Sequence, residues 1–410
     1  MESARNAGRG FFPLDEELEL LAGKLTPAGH EKLVRLSSWV PFGKAVELFE
    51  EFTGIKVSKI VGQRYTEEAG AVYDEMQKEE VQRLQKKMPL ASVSPEKLQI
   101  SADGCMVPLL HGVWAEVRTV VIGDVQPAVQ EKGEMVVHTR NLSYFSRKVS
   151  SQEFEVQSLA EMHRRGVENA KAVAAVMDGA EWLQSFTDYH CAKRRAVRIL
   201  DFAHAAEHIS QVGDFLHGEH TDQSKQWLSQ RLHQLKHAGP KKLLLEIQKL
   251  QRKHPQAQAI TSNLAYLKKR EKQMQYPMFQ TQGWPIGSGI VESGNKIVVE
   301  ARLKGSGMHW ADCHVNPMLA MRNIICSNRW KEEWPKIEAG IRGQKSKKTE
   351  PLRPLIISGN QALLLILKEK LNSEDFSVCG TQQPQKTNPH PWRNFKHGQA
   401  LFQRNSPPKL

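Results

Sequence analysis

Three short apolar runs in the middle of the chain each lead to an aspartate. They are KLQISADG, which contains Asp103, AVAAVMDG, which contains Asp178, and RAVRILD, which ends at Asp201. Short apolar runs that stop at turn-forming residues are typical of buried strands. Helical patterns, AEWLQSF and FAHAAEHISQV, follow the second and the third run. Strands that alternate with helices predict an α/β fold, in which helices cover a sheet.

The segment before the first strand has a different pattern and predicts helices. Within residues 31–92, which we expect to form a helical domain, PFGKAVELFEEFTG carries a broad apolar stripe that stops at Gly54. The next helix is predicted to begin after Ser58, a good N-cap residue. A helix, a short turn and a second helix resemble a helix-turn-helix, so Ser58 and Lys59 are candidate DNA contacts. Two packed helices with no role in DNA binding are the alternative.

The other domain boundaries follow changes of composition. Residues 1–30 contain Gly and Pro throughout and predict an irregular segment. Two Val-rich runs between residues 105 and 125 predict two more strands, and residues 134–148 predict an irregular strand. We divide the rest of the chain into an α/β domain in two parts, 93–208 and 277–330, a helical insertion, 209–276, and a basic C-terminal region, 331–410. The tail beyond Gly380 is rich in Pro, Gln and Asn and is predicted to be poorly ordered.

The net charge of +12 is unevenly spread along the chain. Residues 1–100 carry 14 basic and 16 acidic side chains, whereas residues 209–276 carry 12 and 5, and residues 331–410 carry 14 and 7. Two blocks of +7 on a near-neutral body favour a polyanionic partner, most simply nucleic acid. Lysine-rich helices that merely face solvent are the alternative. The candidate phosphate contacts of the first block are Lys241, Lys242, Lys268 and Lys269.

Composition also bears on the cellular compartment. No window holds about 18 uninterrupted apolar residues, the length of a membrane span, and the N-terminal sequence MESARNAGRG has no apolar signal core. The five cysteines are widely spaced and odd in number. We therefore expect reduced thiols, a cytoplasmic location and no membrane partner.

A glycine-rich segment, GWPIGSGIVESGNKIVVEARLKGSGMHW, contains the lone acid Glu292 among small residues. We expect it to form a helix after the glycine turn, and the glycines let its backbone approach another element closely. Two strand-end aspartates, Asp103 and Asp178, could converge with Glu292 on a pair of divalent ions. Mg²⁺ suits such a site because it takes carboxylate oxygens, water and phosphate. Without cations three close carboxylates would repel one another.

Several of these motifs resemble one family of enzymes. SADGCMVPL, AVMDGAEW, ILDFAHAAEHI and above all PIGSGIVESGNKIVVEARLKGSGMHW are similar to the DDE transposases of the ISKra group of bacterial insertion sequences. FFPLDEELEL, WVPFGKAVELFEEFTG and PHPWR also look similar, so the resemblance covers nearly the whole chain. Members that we compare carry paired cysteines before FFPLDEELEL, whereas this sequence has no cysteine before Cys105.

The resemblance implies a ribonuclease-H-like catalytic domain that cleaves and transfers DNA strands at the ends of a mobile element. It implies that Asp103, Asp178 and Glu292 are the catalytic acids and hold two Mg²⁺ or Mn²⁺ ions. It further implies a homo-oligomer on transposon-end and target DNA, associated with the bacterial nucleoid.

Other residues receive auxiliary roles from the same resemblance. In related superfamilies the strand after the second acid carries a Cys- or Asp-x-x-His signature, which Asp201 and His204 match. If Asp201 rather than Asp178 is the second acid, the set becomes Asp103, Asp201 and Glu292. Three basic residues that follow Glu292 could neutralise DNA phosphates beside the cut. They are Lys296, Arg302 and Lys304.

Two other functional classes fit parts of the sequence. A non-catalytic DNA-binding protein derived from a transposase would use the helix-turn-helix alone. A zinc peptidase would use the inverted His-x-x-Glu-His motif that runs from His204 to His208. In such a peptidase both histidines bind zinc and the intervening Glu acts as the base.

Overall fold

A computed structural model describes residues 25–131, 133–191 and 196–349, with side chains as far as residue 344. A five-stranded sheet lies at the centre, with the strand order β5-β2-β1-β6-β7. The strands β1, β2 and β5 pair antiparallel, whereas β6 and β7 run parallel to β1. A two-stranded ribbon, β3 and β4, stands apart. The strand bounds are β1 Lys97–Pro108, β2 Trp114–Val125, β3 Val129–Glu131, β4 Glu134–Val136, β5 Thr139–Arg147, β6 Ala172–Met177 and β7 Val197–Leu200.

Helices make up most of the rest of the described chain. The first three are α1 Pro27–Trp39, α2 Phe42–Thr53 and α3 Lys59–Lys86. Those within and after the sheet are α4 Ser151–Gln157, α5 Leu159–Arg164, α6 Glu181–Cys191, α7 Phe202–His217, α8 Asp222–Ala238, α9 Pro240–Lys253, α10 Gln258–Lys269, α11 Tyr276–Thr281, α12 Gly289–Gly294, α13 Ala301–Leu303, α14 Asp312–Cys326 and α15 Trp330–Thr349. A π-helical segment, Asn295–Glu300, joins α12 to α13 in one continuous helical run.

The predicted α/β fold is confirmed, and so are two of the predicted strand ends. β6 and β7 stop immediately before Asp178 and Asp201, and a helix follows each of them. Asp103, in contrast, does not end its strand. β1 continues to Pro108 because it pairs with β2 along its whole length. This hairpin pairing is a long-range feature that the local pattern around Asp103 does not carry.

The region predicted as irregular strand contains a regular one. β5 pairs with β2 from Arg147 back to Thr139, with one shift of register near Ile122. Its first residues are polar and exposed because β5 lies at the edge of the sheet. An edge strand of this kind lacks the apolar run that identifies a central strand.

The predicted N-terminal helices are confirmed, and so are two residues predicted at their ends, Gly54 at the end of α2 and Ser58 at the start of α3. Gly54 ends α2 in the left-handed conformation at φ 70°, which glycine adopts without strain. The Ser58 side chain accepts the amide of Val61 and caps α3. The first helix begins at Pro27, before the predicted boundary at residue 31. Residues 1–24 and the tail beyond residue 349 lie outside the described residues. The predictions of an irregular N-terminal segment and a poorly ordered tail fall on these residues.

The two faces of the sheet carry different layers. Leu98, Ile100 and Ala102 of β1 point into a core with α4, α5 and α6. The alternate residues of β1 point to the other face, where Val107 packs against the helical run that follows Gly289. On β6 the same alternation sends Val176 toward α7 and the insertion. Asp103 and Asp178 belong by alternation to this second face.

The predicted insertion, residues 209–276, is confirmed as helical, with turns and a short 3₁₀ segment, Glu271–Met274, between its helices. Its apolar residues Leu243, Ile247 and Leu264 join one core with Val176 of the sheet. The insertion therefore packs onto the second face of the sheet at β6 and β7.

The N-terminal helices share their core with helices from the other end of the described chain. Leu33 and Tyr65 pack in one cluster with Ile324, Trp334 and Ile337 of α14 and α15. The predicted boundary at residue 330 thus falls between two helices that complete the same core.

The contact between α3 and α14 depends on Gly70. A Cβ atom at Gly70 would lie 2.8 Å from the Cα of Pro317 and closer still to its carbonyl group. Real Cβ atoms do not approach backbone so closely, so a side chain here would push the two helices apart.

We predict that Gly70→Ala lowers the free energy of unfolding by about 1–3 kcal/mol because it overpacks this contact. Denaturant unfolding would measure the change. Gly43→Ala is the matched control, since a Cβ at Gly43 in α2 would meet nothing within 4 Å, and we expect it not to lower stability. Equal stability of the two variants would show that α14 moves freely away from α3.

Candidate active site

The parallel ladder between β1 and β6 aligns two of the predicted acids. Ile100 of β1 faces Ala175 of β6, an offset of 75 residues that holds along the whole pairing. Continued three residues past the last pair, that offset sets Asp103 opposite Asp178, and the charge of Asp178 does act on Asp103. Because both residues point to the second face of the sheet, the structure brings their side chains to the same region, as predicted.

The next ladder adds a third aspartate to this row. Met177 of β6 faces Leu200 of β7, an offset of 23 residues, so Asp178 lies level with Asp201. The Asp201 amide donates to the Met177 carbonyl at 2.8 Å and continues the ladder to its end. Three adjacent strands therefore present one aspartate each.

The helix that carries Glu292 lies over this face. A Cβ at Gly294 would come within 2.6 Å of the Val121 side chain on β2, so only glycine lets the helix pack this close. The close approach that the sequence predicted is therefore made at Gly294. Gly287 and Gly289, in contrast, have open space where a Cβ would stand.

Asp103 is bound on both of its carboxylate oxygens. The amide of Gly104 donates to Oδ1 at 2.7 Å, and Nδ2 of Asn295 donates to Oδ2 at 3.1 Å. Burial raises the pKa of the Asp103 carboxyl, and the nearby negative charges of Asp178 and Glu292 raise it further. Asp103 therefore lies within electrostatic range of both other predicted acids.

Asp178 has a histidine partner. Nε2 of His204 lies 3.4 Å from Oδ2 of Asp178, and the amide of Ala180 donates to Oδ1 at 2.8 Å. Burial acts to raise the pKa of Asp178, but these two partners and the charge of Arg270 outweigh it, so this pKa lies below its usual value. The contact with Asp178 in turn raises the pKa of His204 above its usual value.

Asp201 has a different role in the structure. It is only 3 % exposed and caps α7, since its Oδ1 accepts the amide of Ala203 at 2.8 Å. Its Oδ2 accepts the amide of Ser288 at 3.3 Å and also the Ser288 hydroxyl. The ion-pair partners of His204 are Asp178 and Glu207, at 3.4 and 3.6 Å, and Asp201 is not one of them. Asp201 instead ties the turn before the Glu292 helix to the end of β7.

The Glu292 side chain is exposed and makes no hydrogen bond or ion pair with another residue of the described chain. Asn295, one helical turn further on, is 6 % exposed, and its Oδ1 atom is buried without a partner. Carboxylates and an amide oxygen are the donors that a hard cation such as Mg²⁺ prefers. The donor chemistry therefore fits the expected ions. Among residues 25–131, 133–191 and 196–349, no group of three His, Cys, Asp or Glu side chains already has the spacing of a metal site.

One of the predicted DNA contacts is corrected. Arg302 is 1 % exposed, and its Nε donates to the Ser37 carbonyl at 3.1 Å. Its guanidinium lies over the rings of Phe42 and Trp310. Burial lowers the pKa of Arg302 to about 10, helped by the charge of Arg322. Arg302 thus holds the Glu292 helix to the N-terminal helices and is not available to a phosphate.

The other predicted DNA contacts lie on the surface. Lys296 is exposed, and Lys304 is exposed and pairs with Glu300 at 2.8 Å. Lys269 pairs with Glu181 at 2.5 Å. These pairs are solvent-accessible, so a phosphate can compete for the lysines. The remaining exposed candidates are Ser58, Lys59, Lys241, Lys242 and Lys268.

The two histidines of the peptidase motif, His204 and His208, have different neighbours. His204 faces Asp178, whereas the ring of His208 stacks on Tyr266 at 3.6 Å between centroids. Nδ1 of His208 also lies 2.6 Å from Oδ1 of Asn263. Because the two histidines have different partners, this arrangement does not favour a shared zinc ion.

Sequence reasoning missed four residues that support the acids. Asn295 could have been found, because it lies three positions after Glu292 and hence on the same side of a helix. Ser288 lies in the glycine turn, but its bond to Asp201 spans 87 positions. Tyr266 and Arg270 bind the Asp178–Gly179 turn from the insertion and carry no local signal.

Comparison of the sequence with protein-family models and with curated proteins finds no match. Within the described part of the chain, no helix has the length and the apolar character needed to cross a membrane. The functional assignment therefore depends on the residues and geometry described above.

We predict that Asp201→Asn lowers the free energy of unfolding by about 1.5–3 kcal/mol, because hydrogen bonds to a buried charged group are lost. Thermal or denaturant unfolding would measure this. The control is Asp188→Asn, which breaks an exposed pair with Arg198 and should change stability by less than about 1 kcal/mol. Similar losses in both variants would contradict the capping role of Asp201.

Proposed function

We propose that this protein is a DDE-type transposase, which cleaves DNA and transfers the cut strand with two bound Mg²⁺ ions. The observation that carries the proposal is that Asp103 and Asp178 come from adjacent strands and interact, while the helix that bears Glu292 packs on β2 and bonds to Asp103 through Asn295. The electrostatic repulsion among these acids gives a physical reason for cations to bind here.

The order of the acids along the sheet also supports the proposal. In chain order the five strands of the sheet are β1, β2, β5, β6 and β7. Asp103 lies on the first and Asp178 directly follows the fourth, and in superfamilies related to the resembled family an Asp that ends the fourth strand is catalytic. The mixed five-stranded sheet is compatible with a ribonuclease-H-like domain.

In this proposal Asp103, Asp178 and Glu292 hold the ions. A pair of divalent ions stabilises the attacking and the leaving oxygen of an in-line phosphoryl transfer. The protein contributes the fixed positions of its carboxylates. Asn295 holds Asp103, and His204 holds Asp178. Glu292 is exposed beside them, where a DNA phosphate can approach.

The DNA would lie across the basic surface beside this site. Lys268 and Lys269 are on α10 of the insertion, next to the residues that contact the Asp178–Gly179 turn. Lys296 lies one helical turn beyond Glu292. The exposed start of α3, with Ser58 and Lys59, would supply the sequence-reading contacts of a helix-turn-helix.

We predict that Glu292→Gln abolishes Mg²⁺-dependent cleavage of DNA that carries the sequences flanking the gene, because an amide replaces a carboxylate ligand at constant volume. DNA binding should remain nearly unchanged, as measured by gel shift and by strand cleavage on the same DNA. Glu300→Gln is the control, since Glu300 lies in the same helical run and pairs with Lys304.

The same assay separates the proposal from its alternative. Wild-type protein that binds this DNA but does not cleave it with Mg²⁺ or Mn²⁺ would favour the non-catalytic DNA-binding protein. Normal cleavage by the Glu292 variant would contradict the assignment of the acids.

We also predict that charge reversal of Lys241, Lys242, Lys268 and Lys269 flattens the dependence of log affinity on log salt concentration. The slope should fall by about 0.9 for each lost phosphate contact. Fluorescence anisotropy on duplex DNA at several salt concentrations would measure it. Charge reversal of Lys171 and Lys336, exposed lysines outside the insertion, is the control. Equal slopes for both sets would show that the insertion does not contact DNA.

A further inference from the structure

Two side chains of the insertion donate hydrogen bonds to the turn that carries Asp178. The Tyr266 hydroxyl donates to the backbone carbonyl of Asp178. Nε of Arg270 donates to the carbonyl of Gly179 at 3.0 Å, and Nη2 of Arg270 donates to the same oxygen. The donors lie at the end of α10, about ninety positions along the chain from the turn.

The way in which Arg270 is buried suggests a purpose beyond stability. Arg270 is 7 % exposed, and its guanidinium stacks 3.8 Å from the centre of the Tyr266 ring. The carboxylate nearest to it is that of Glu181, at 3.7 Å and 71 % exposed. Burying a cation against neutral carbonyl groups, with one loose ion pair and the more distant charge of Asp178, is a costly way to stabilise a fold.

The turn is shaped to receive these donors. Gly179 has a φ of +83°, a conformation that other residues rarely adopt. A Cβ there would lie 2.9 Å from the Tyr266 hydroxyl and even closer to Nε of Arg270. The two donor side chains therefore occupy the space where a side chain at residue 179 would stand, directly against the Gly179 backbone.

The orientation of the Asp178 carboxylate depends on this turn. Its Oδ1 accepts the amide of Ala180, and its Oδ2 faces His204. Both contacts require the backbone from Asp178 to Ala180 to keep its present path. With its carbonyl groups fixed by Tyr266 and Arg270, the turn can direct the side chain toward Asp103.

We propose that Arg270, assisted by Tyr266, is a positioning residue for the Asp178 carboxylate, so that the helical insertion is part of the active site as well as a DNA-binding surface. The structural part of this inference stands on the contacts alone. Its catalytic consequence rests on the proposed transposase function.

The structural part is tested by hydrogen–deuterium exchange on the full chain without metal. In Arg270→Gln we expect faster exchange in the peptide that covers residues 177–185 than in the wild type. Arg231→Gln is the matched control, because Arg231 also belongs to the insertion but pairs with Glu246 at 3.1 Å, away from this turn. Unchanged exchange at this turn in Arg270→Gln would overturn the proposal, whether or not the protein cleaves DNA.

The catalytic part is tested by cleavage kinetics and by DNA affinity. Arg270→Gln should lower kcat by roughly 10–100-fold, as loss of an orienting partner commonly does, with little change in KM for DNA. Tyr266→Phe should cost less because it removes a single hydrogen bond. Arg270→Lys should recover part of the rate, since a lysine can still donate to the Gly179 carbonyl.

The outcomes separate the two proposals. Wild-type cleavage together with an Arg270→Gln variant as active as Arg231→Gln would overturn the positioning role and leave the transposase assignment intact. No cleavage by the wild type would overturn the transposase assignment, while the exchange comparison still decides whether Arg270 holds the turn. If Arg270→Gln fails to fold, normal kcat in both Tyr266→Phe and Arg270→Lys would overturn the positioning role.

Discussion

The register of the two parallel ladders is the constraint on which the candidate site depends. The offsets between β1, β6 and β7 put Asp103, Asp178 and Asp201 in one row. Because side chains alternate along a strand, a slip of one residue would turn an acid from one face of the sheet to the other. A slip of β6 would exchange Ala174 and Val176, which pack on one face, with Val173, Ala175 and Met177, which pack on the other, and side chains of the wrong size would then meet each layer. The packing of the core thus fixes the geometry of the site.

The same row shows how surroundings assign different roles to one type of side chain. Asp178 keeps its charge beside His204 and Arg270, whereas burial and neighbouring acids hold the pKa of Asp103 above its usual value. Asp201 is buried, and both of its carboxylate oxygens accept hydrogen bonds from backbone amides or from the Ser288 hydroxyl. Asp201, at one end of the row, therefore supports the structure, whereas Asp103, at the other end, bonds to the helical run that carries Glu292.

Local sequence patterns were sufficient for the features that local physics decides. The ends of β6 and β7, the glycine stop at Gly54 and the cap at Ser58 all follow from short-range preferences of the chain. The burial of Arg302 could not be predicted, because its partners Ser37 and Phe42 lie more than 250 positions away. The hydrogen bonds from Tyr266 and Arg270 to the Asp178–Gly179 turn are long-range in the same way. The position of Asp178 at the end of β6 follows from a local pattern, whereas the contacts that hold its turn do not.

The shared core of α1, α3, α14 and α15 has a consequence for the order in which the chain can fold. The N-terminal helices leave the ribosome first, yet the apolar partners of Leu33 and Tyr65 include Trp334 and Ile337, which are made some three hundred residues later. Domains commonly fold as units while synthesis proceeds, but this core cannot close until α15 has emerged. During that interval the apolar stripes of α1 and α3 lack part of their covering. A chain truncated before α15 would therefore yield neither half of this core in its final form.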